Sequence, residues 1–225
     1  MSEIVDATGA DRGEAVERAA QVLQSGGLVV LPTDTVYGVA ADAFRSEATE
    51  KIFAAKRRSR RFPLPVLVRS PKQLLGLCTV VPDVADDLMA AYWPGALTMV
   101  VPSDPNLMWD LGESKGTVAV RMPLDDVTLE IIRAVGPLAV TSANLSGQPP
   151  AQTAQAAQQQ LGDAVTLYVD DGPRRGSAPS TIVDLTRAEP HVLREGALPP
   201  DEVLAVARGE LDPMDVQGPD REPDG

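Results

Sequence analysis

Histidine and cysteine are almost missing from this chain of 225 residues, with His191 and Cys78 the single representatives. One cysteine rules out an intramolecular disulfide, and one of each leaves no Cys/His set for a zinc ion. A Ser-His-Asp triad would have to draw on His191, inside a short alternating segment, and no G-x-S-x-G occurs. Cys78, at the end of an apolar helical stretch, reads as a core residue, and the expected setting is a reducing cytoplasm. No apolar run approaches the roughly eighteen residues of a membrane span, and MSEIVDATGADRGEAVERAA has no basic region followed by an apolar one. Positive charge is also short. The 20 Lys and Arg stand against 32 Asp and Glu, a net charge of −12, which argues against broad attraction to nucleic-acid phosphates. Three Phe, three Tyr and two Trp are few for stacking along single strands.

What is present is a rhythm of apolar runs and helical periods. GEAVERAAQVLQSGG places Ala15, Ala19, Val22 and Leu23 at helical spacing and closes on Gly26 and Gly27. LVVLP (28–32) is a buried-type strand followed by the loop TDT. SEATEKIFAAK is a helix that Pro63 and Pro65 cannot continue. Strands follow at 64–68, 97–101 and 117–121 and in PLAVTSAN, VTLYVDDG, STIVDL and HVLREG. Helices are read in SPKQLLGL, PDVADDLMAAYW, DDVTLEIIRAV, TAQAAQQQLG and PDEVLAVARG. Several strands are too closely linked for a crossover, so the expected fold is one α/β domain with a mixed, twisted sheet and flanking helices. Its expected limits are 13–208, after an N-terminal extension (1–12) and before an acidic, disordered tail (209–225) that holds six acids and one Arg.

No G-x-x-x-x-G-K-[ST] or G-x-G-x-x-G is present. Polar residues gather instead at the ends of apolar strands, in PTDTVYG (32–38), KRRSRR (56–61), TVAVRMP (117–123), TSANLSG (141–147), STIVD (180–184) and VLREG (192–196). Strand ends are where open α/β sheets bind ligands. Hydroxyls, amides and arginines suit anions and amino-acid-like groups rather than a protein nucleophile. Each segment also has a plain structural reading. KRRSRR can be cations capping a helix C-terminus, TSAN an Asx or Ser/Thr turn, and Arg121 a charge at a sheet edge.

Together these segments, with WPG (93–95) and ALTMVV, resemble the YrdC family over roughly residues 13–207. Its best-known members are L-threonylcarbamoyladenylate synthases, and the resemblance implies a concave substrate groove beside the sheet. The resemblance implies a transferase that joins L-threonine, bicarbonate and ATP into threonylcarbamoyl-AMP and pyrophosphate. This is the first step of threonylcarbamoyladenosine formation in tRNAs that read codons beginning with A, and the tRNA threonylcarbamoyl transferase complex is then a candidate partner. It implies Mg²⁺ carried with ATP, with no metal ligand from protein side chains. Lys56, Arg58, Ser142 and Asn144 match the KxR and SxN motifs assigned to catalysis. They also fall on the ATP side, with Thr117, Ala143, Ala151 and Arg194. Thr35, Arg121, Thr141 and Ser180 match the threonine side, where a guanidinium suits a carboxylate.

The pattern breaks at Ser59 and Phe62, where many members have Pro and a second Lys, and at Leu67, in place of a His. Arg60 or Arg61 is the expected substitute for the missing charge. Asp170, Asp171 and the PRRGSAPS loop receive no role. A short, single-domain form of the family is expected. The alternatives are a paralogue with a different or weak nucleotide-dependent activity and a duplex-RNA-binding protein, the latter disfavoured by the charge balance.

Overall fold

The computed structural model describes residues 2–174 and 178–216. The elements in chain order are β1 (Glu3–Asp6), α1 (Arg12–Gln24), β2 (Val29–Leu31), β3 (Gly38–Asp42), α2 (Ser46–Lys56), β4 (Val66–Leu67), α3 (Pro71–Leu75) and α4 (Val84–Tyr92). There follow β5 (Leu97–Pro102), β6 (Thr117–Arg121), α5 (Asp126–Val135), β7 (Leu138–Ser142), α6 (Ala154–Leu161), β8 (Leu167–Asp170), β9 (Thr181–Asp184), β10 (His191–Arg194) and α7 (Pro200–Ala207). The strands form one sheet in the order β1-β8-β2-β3-β7-β4-β6-β5-β9-β10. Parallel pairs such as β4 with β6 and β5 with β9 sit beside antiparallel ones such as β3 with β7 and β5 with β6. The sheet is therefore mixed, as the short links predict.

Two strands were not legible in the sequence. β3 is GVAAD, without the β-branched run that marks a strand, yet it is buried between β2 and β7. β1 lies in the segment read as an extension outside the domain, but it pairs in parallel with β8, with Ile4 opposite Tyr168 and Val5 buried. At the other end Val216 is buried in the main core, so the part of the tail up to that residue packs on the domain. Residues 217–225 of the expected disordered tail lie outside the described residues. No helix is long and apolar enough to cross a membrane among the described residues.

Period-two alternation sorts the strand residues between two cores. Leu28 and Val30 enter the larger core, with Ile52 of α2, Leu88 of α4, Ala157 of α6 and Val203 of α7. Val29, Leu31, Val140 and Leu167 enter the smaller one, covered by Ala19 and Leu23 of α1 and Ile131 and Ile132 of α5. α5 is held at its start by the Asp125 side chain, which accepts from the Thr128 N–H at 2.9 Å. α1 and α5 cover only part of their face of the sheet. On β5, β6 and β9 the alternate residues Leu97, Met99, Val101, Val118, Val120 and Val183 all go to the larger core. Their neighbours Thr98, Val100, Ala119, Arg121 and Ile182 line an open hollow on the other face.

Candidate active site

That hollow is a cavity of about 430 Å³. Its floor is the uncovered half of the sheet, and its walls are the loop after β2, the turn after α2 and the ends of β7 and β10. Of the residues that sequence reasoning placed in the site, Thr35, Arg58, Thr117, Arg121, Thr141, Ser142, Ser180 and Arg194 line it. These come from six distant segments of the chain, and the register of the sheet unites them. Thr98 is opposite Ile182, and Ile182 is opposite Arg194. A bulge between Val192 and Arg194 lets the consecutive residues Leu193 and Arg194 both reach the cavity.

Three guanidiniums meet here. Arg121 is 6% exposed and fixed on three sides: Nε donates to the Gly95 carbonyl at 2.8 Å, Nη1 to Thr35 Oγ1 at 3.0 Å and Nη2 to Asp34. Arg194 donates from Nη2 to the Ser180 carbonyl at 2.7 Å and to Ser180 Oγ at 3.0 Å, and that hydroxyl lies 2.8 Å from Thr98 Oγ1. Burial lowers the Arg194 pKa from its ordinary value, and the charges of Arg121 and Arg58 lower it further. Arg58 is also lowered by burial and donates to the Phe62 carbonyl at 2.9 Å. Among the described residues no carboxylate lines the cavity. Asp34 pairs with Arg121 from behind the lining, whereas Arg58 and Arg194 have no carboxylate partner among the described residues, and cations gathered with that deficit of anions are held ready for an anionic ligand.

Lys56, Ala143, Asn144 and Ala151 stand behind this lining. Lys56 is 2% exposed. Its Nζ donates to the carbonyls of Ser142 and, at 2.6 Å, Asn144, while its own carbonyl accepts from the Ser146 N–H at 3.0 Å. The end of α2 thereby clasps the SAN turn. Burial, reinforced by Arg58, pushes the Lys56 ammonium down to about 7. Asn144 donates to the carbonyls of Leu145 and Gln148 at 2.8 and 2.7 Å, which shapes the same turn. Ala143 and Ala151 bind Tyr37 through their backbones: the Ala143 N–H donates to the Tyr37 carbonyl, and the Tyr37 N–H donates to the Ala151 carbonyl.

The basic run divides as it leaves the helix. Arg57 takes the left-handed conformation (φ 51°, ψ 41°) that ends α2, and the Arg58 N–H closes back on the Phe53 carbonyl. Lys56 turns inward and Arg58 to the cavity. Arg60 instead pairs with Glu50 and Asp110 and lies 4.9 Å from the Phe53 ring centroid. The expectation that Arg60 replaces the missing charge is therefore corrected, because two acids already hold it away from the cavity. Arg61 is exposed and is not part of the lining. Leu67 and Phe62, where the family pattern differs, both line the cavity.

Sequence reading passed over Asp34 and Thr98. Asp34 receives Arg121 and also the Leu124 N–H at 3.0 Å. It sits between two threonines immediately after an apolar strand, and that placement was the available signal. Thr98 is a lone polar residue within LTMVV, whose neighbours are core. Asp170 and Asp171 organise a turn: Asp170 accepts from Gln155 at 2.6 Å, and Arg174 bridges Asp171 and the buried Asp125. Residues 175–177 of the PRRGSAPS loop lie outside the described residues.

An open sheet face with convergent arginines and hydroxyls defines an α/β protein that binds small anionic substrates at its strand ends. A family model described as "Telomere recombination", for the Sua5, YciO and YrdC proteins, matches residues 21–196, and the chain belongs to that family. A Mycobacterium tuberculosis H37Rv protein, provisionally named a threonylcarbamoyl-AMP synthase, is 48% identical over 207 residues, covering 92% of this chain and 95% of its own. The Pyrococcus abyssi threonylcarbamoyl-AMP synthase is 37% identical over 189 residues, 84% of this chain and 56% of its own. The solved structure of P. abyssi Sua5 complexed with L-threonine has a TM-score of 0.84 at 34% identity, over 92% of this chain and 60% of that one. This chain thus spans little more than half of the Pyrococcus protein. Escherichia coli YciO matches with a TM-score of 0.78 at 25% identity, over 88% of this chain and 97% of that one.

Proposed function

We propose that this chain is a threonylcarbamoyl-AMP synthase, a nucleotidyltransferase that condenses L-threonine, bicarbonate and ATP into threonylcarbamoyl-AMP and pyrophosphate. The observation that carries the reading is the meeting of Arg58, Arg121 and Arg194 in one hydroxyl-lined cavity, in a chain similar along most of its length to proteins of that name.

The threonine amine takes up bicarbonate, with loss of water, to give a carbamate. A carbamate oxygen then forms a bond to the α-phosphorus of ATP as the bond to the pyrophosphate oxygen breaks. Nucleophile and electrophile are both anionic, so their approach needs fixed positive charge, and positioning supplies much of the rest. Arg121 has five N–H groups. Three are engaged by the protein, which leaves one on each terminal nitrogen for the threonine carboxylate, with Thr35, Thr141 and Ser180 around it. Arg58 and Arg194, with Thr117 and Ser142, serve the ATP side. Lys56 and Asn144 hold the turn that presents Ser142.

Magnesium would enter with ATP, held by its phosphates, and would neutralise charge on the leaving pyrophosphate; toward it the cavity lining presents hydroxyls and, among the described residues, no carboxylate. The direct test is pyrophosphate release from ATP with each substrate withheld in turn. Release that requires both L-threonine and bicarbonate is expected, whereas ATP turnover indifferent to threonine would sink the assignment.

A further inference from the structure

We infer that Phe62 is the stacking platform for the adenine base of ATP, a role that rests on the synthase reading above. Exposed apolar side chains that share one charged cavity, unlike those scattered singly over a surface, mark a ligand-binding groove. Phe62 is 63% exposed and Leu193 51%, and both line the cavity. Each adjoins a phosphate-side cation. The Arg58 guanidinium carbon lies 5.8 Å from the centroid of the Phe62 ring, and Leu193 precedes Arg194 in the β10 bulge.

The turn fixes Phe62 at this rim. The Phe62 N–H donates to the Ser59 carbonyl at 3.1 Å, and the carbonyls of Phe62 and Pro63 both accept from Arg58, at 2.9 and 3.3 Å. One side chain that binds phosphate therefore also anchors the aromatic residue beside it. A nucleotide is the ligand whose two ends match such a pair, phosphate to the guanidinium and base to the exposed ring. A base stacked on Phe62 would cover apolar surface that is open to water without ligand, and Arg58 near the ring adds a cation–π contribution. Leu193 supplies further apolar wall. Threonine and bicarbonate offer no flat apolar face to either residue.

The test compares MgATP with inorganic tripolyphosphate, which keeps the anionic part and lacks the base. Both are titrated by calorimetry into wild type, Phe62→Ala and Phe62→Trp. Loss of one base–aromatic stack weakens binding by about 5-fold to 150-fold. Phe62→Ala is expected to weaken MgATP by at least about 5-fold and to leave tripolyphosphate within about 2-fold. Phe62→Trp is expected to retain MgATP affinity, with its indole fluorescence responding to ATP and not to tripolyphosphate. Equal weakening of both probes would overturn the inference, since Phe62 would then act only through Arg58, and so would unchanged ATP affinity in Phe62→Ala. Failure of the wild type to bind MgATP would overturn the synthase reading itself, which separates the two failures.

Discussion

Replacing Lys56 by Met tests whether the clasp on the SAN turn is also a proton switch. The ammonium sits at 2% exposure with the carbonyls of Ser142 and Asn144 as partners. Burial and Arg58 lower it from 10.5 to about 7, which is worth on the order of 5 kcal/mol against the charged form. The sign follows from linkage. Below pH 7 both folded and unfolded chains hold the proton, and the destabilisation is fully present. Between about pH 7 and 10.5 the unfolded chain holds more protons than the folded one, so stability rises with pH.

Integrating those two values from pH 7 to pH 9 gives a gain of roughly 2 kcal/mol for the wild type, and Lys56→Met has no such term. Urea unfolding of both proteins at the two pH values, read as the difference between them, cancels every other titrating group. The wild-type advantage should grow by roughly 2 kcal/mol. A difference that stays constant would refute the reasoning, because the surrounding carbonyls would then be keeping the ammonium charged through pH 9. The same switch predicts proton uptake when ATP binds near pH 8.5, since a nearby polyphosphate favours the charged lysine. Calorimetry in buffers of different ionisation enthalpy should detect it in the wild type and not in the variant.

Three further outcomes follow from particular contacts. Arg121→Lys keeps the charge but cannot reproduce donation to Gly95, Thr35 and Asp34 together. It should raise the threonine KM by at least about 10-fold, more than the ATP KM, and lower stability in urea by about 2–4 kcal/mol. Arg60→Ala should leave the ATP KM within about 2-fold and cost less than about 1 kcal/mol in urea unfolding, because its partners are partly exposed acids outside the cavity. Gly196→Ala would place a Cβ 2.4 Å from the Pro179 carbonyl oxygen and from the Ser180 carbonyl carbon. It should lower the Tm, at a cost of about 1–3 kcal/mol, and raise the ATP KM by displacing the backbone that Arg194 grips.

Much of this architecture is written locally. LVVLP, LTMVV and TVAVR read as strands because apolar β-branched residues run or alternate there, and Ser70 with Pro71 marks the start of α3. β3 escaped because Gly38, Ala40 and Ala41 carry no strand propensity. Its identity is set by the partners on either side, a tertiary effect that no window of sequence contains. β1 escaped because four residues, Glu3 to Asp6, gain their place only by pairing with β8, more than 160 residues later.

For the site, the arginines at strand ends were legible as anion ligands, and the sheet does bring Arg58, Arg121 and Arg194 together. The division of labour was not legible. KRRSRR looks like one basic patch, yet the left-handed turn at Arg57 sends Lys56 inward, Arg58 to the cavity and Arg60 to Glu50 and Asp110. Asp34 matters through Arg121, which lies 87 residues away in the chain.

The central claim is that one cavity joins threonine, bicarbonate and the adenylyl part of ATP. Incubating the protein with ATP, magnesium, L-threonine and isotope-labelled bicarbonate, then weighing the nucleotide products, addresses it most directly. The expected product is threonylcarbamoyl-AMP that carries the label and forms in step with pyrophosphate. Nucleotide products without the label, or none whose mass includes threonine, would contradict it.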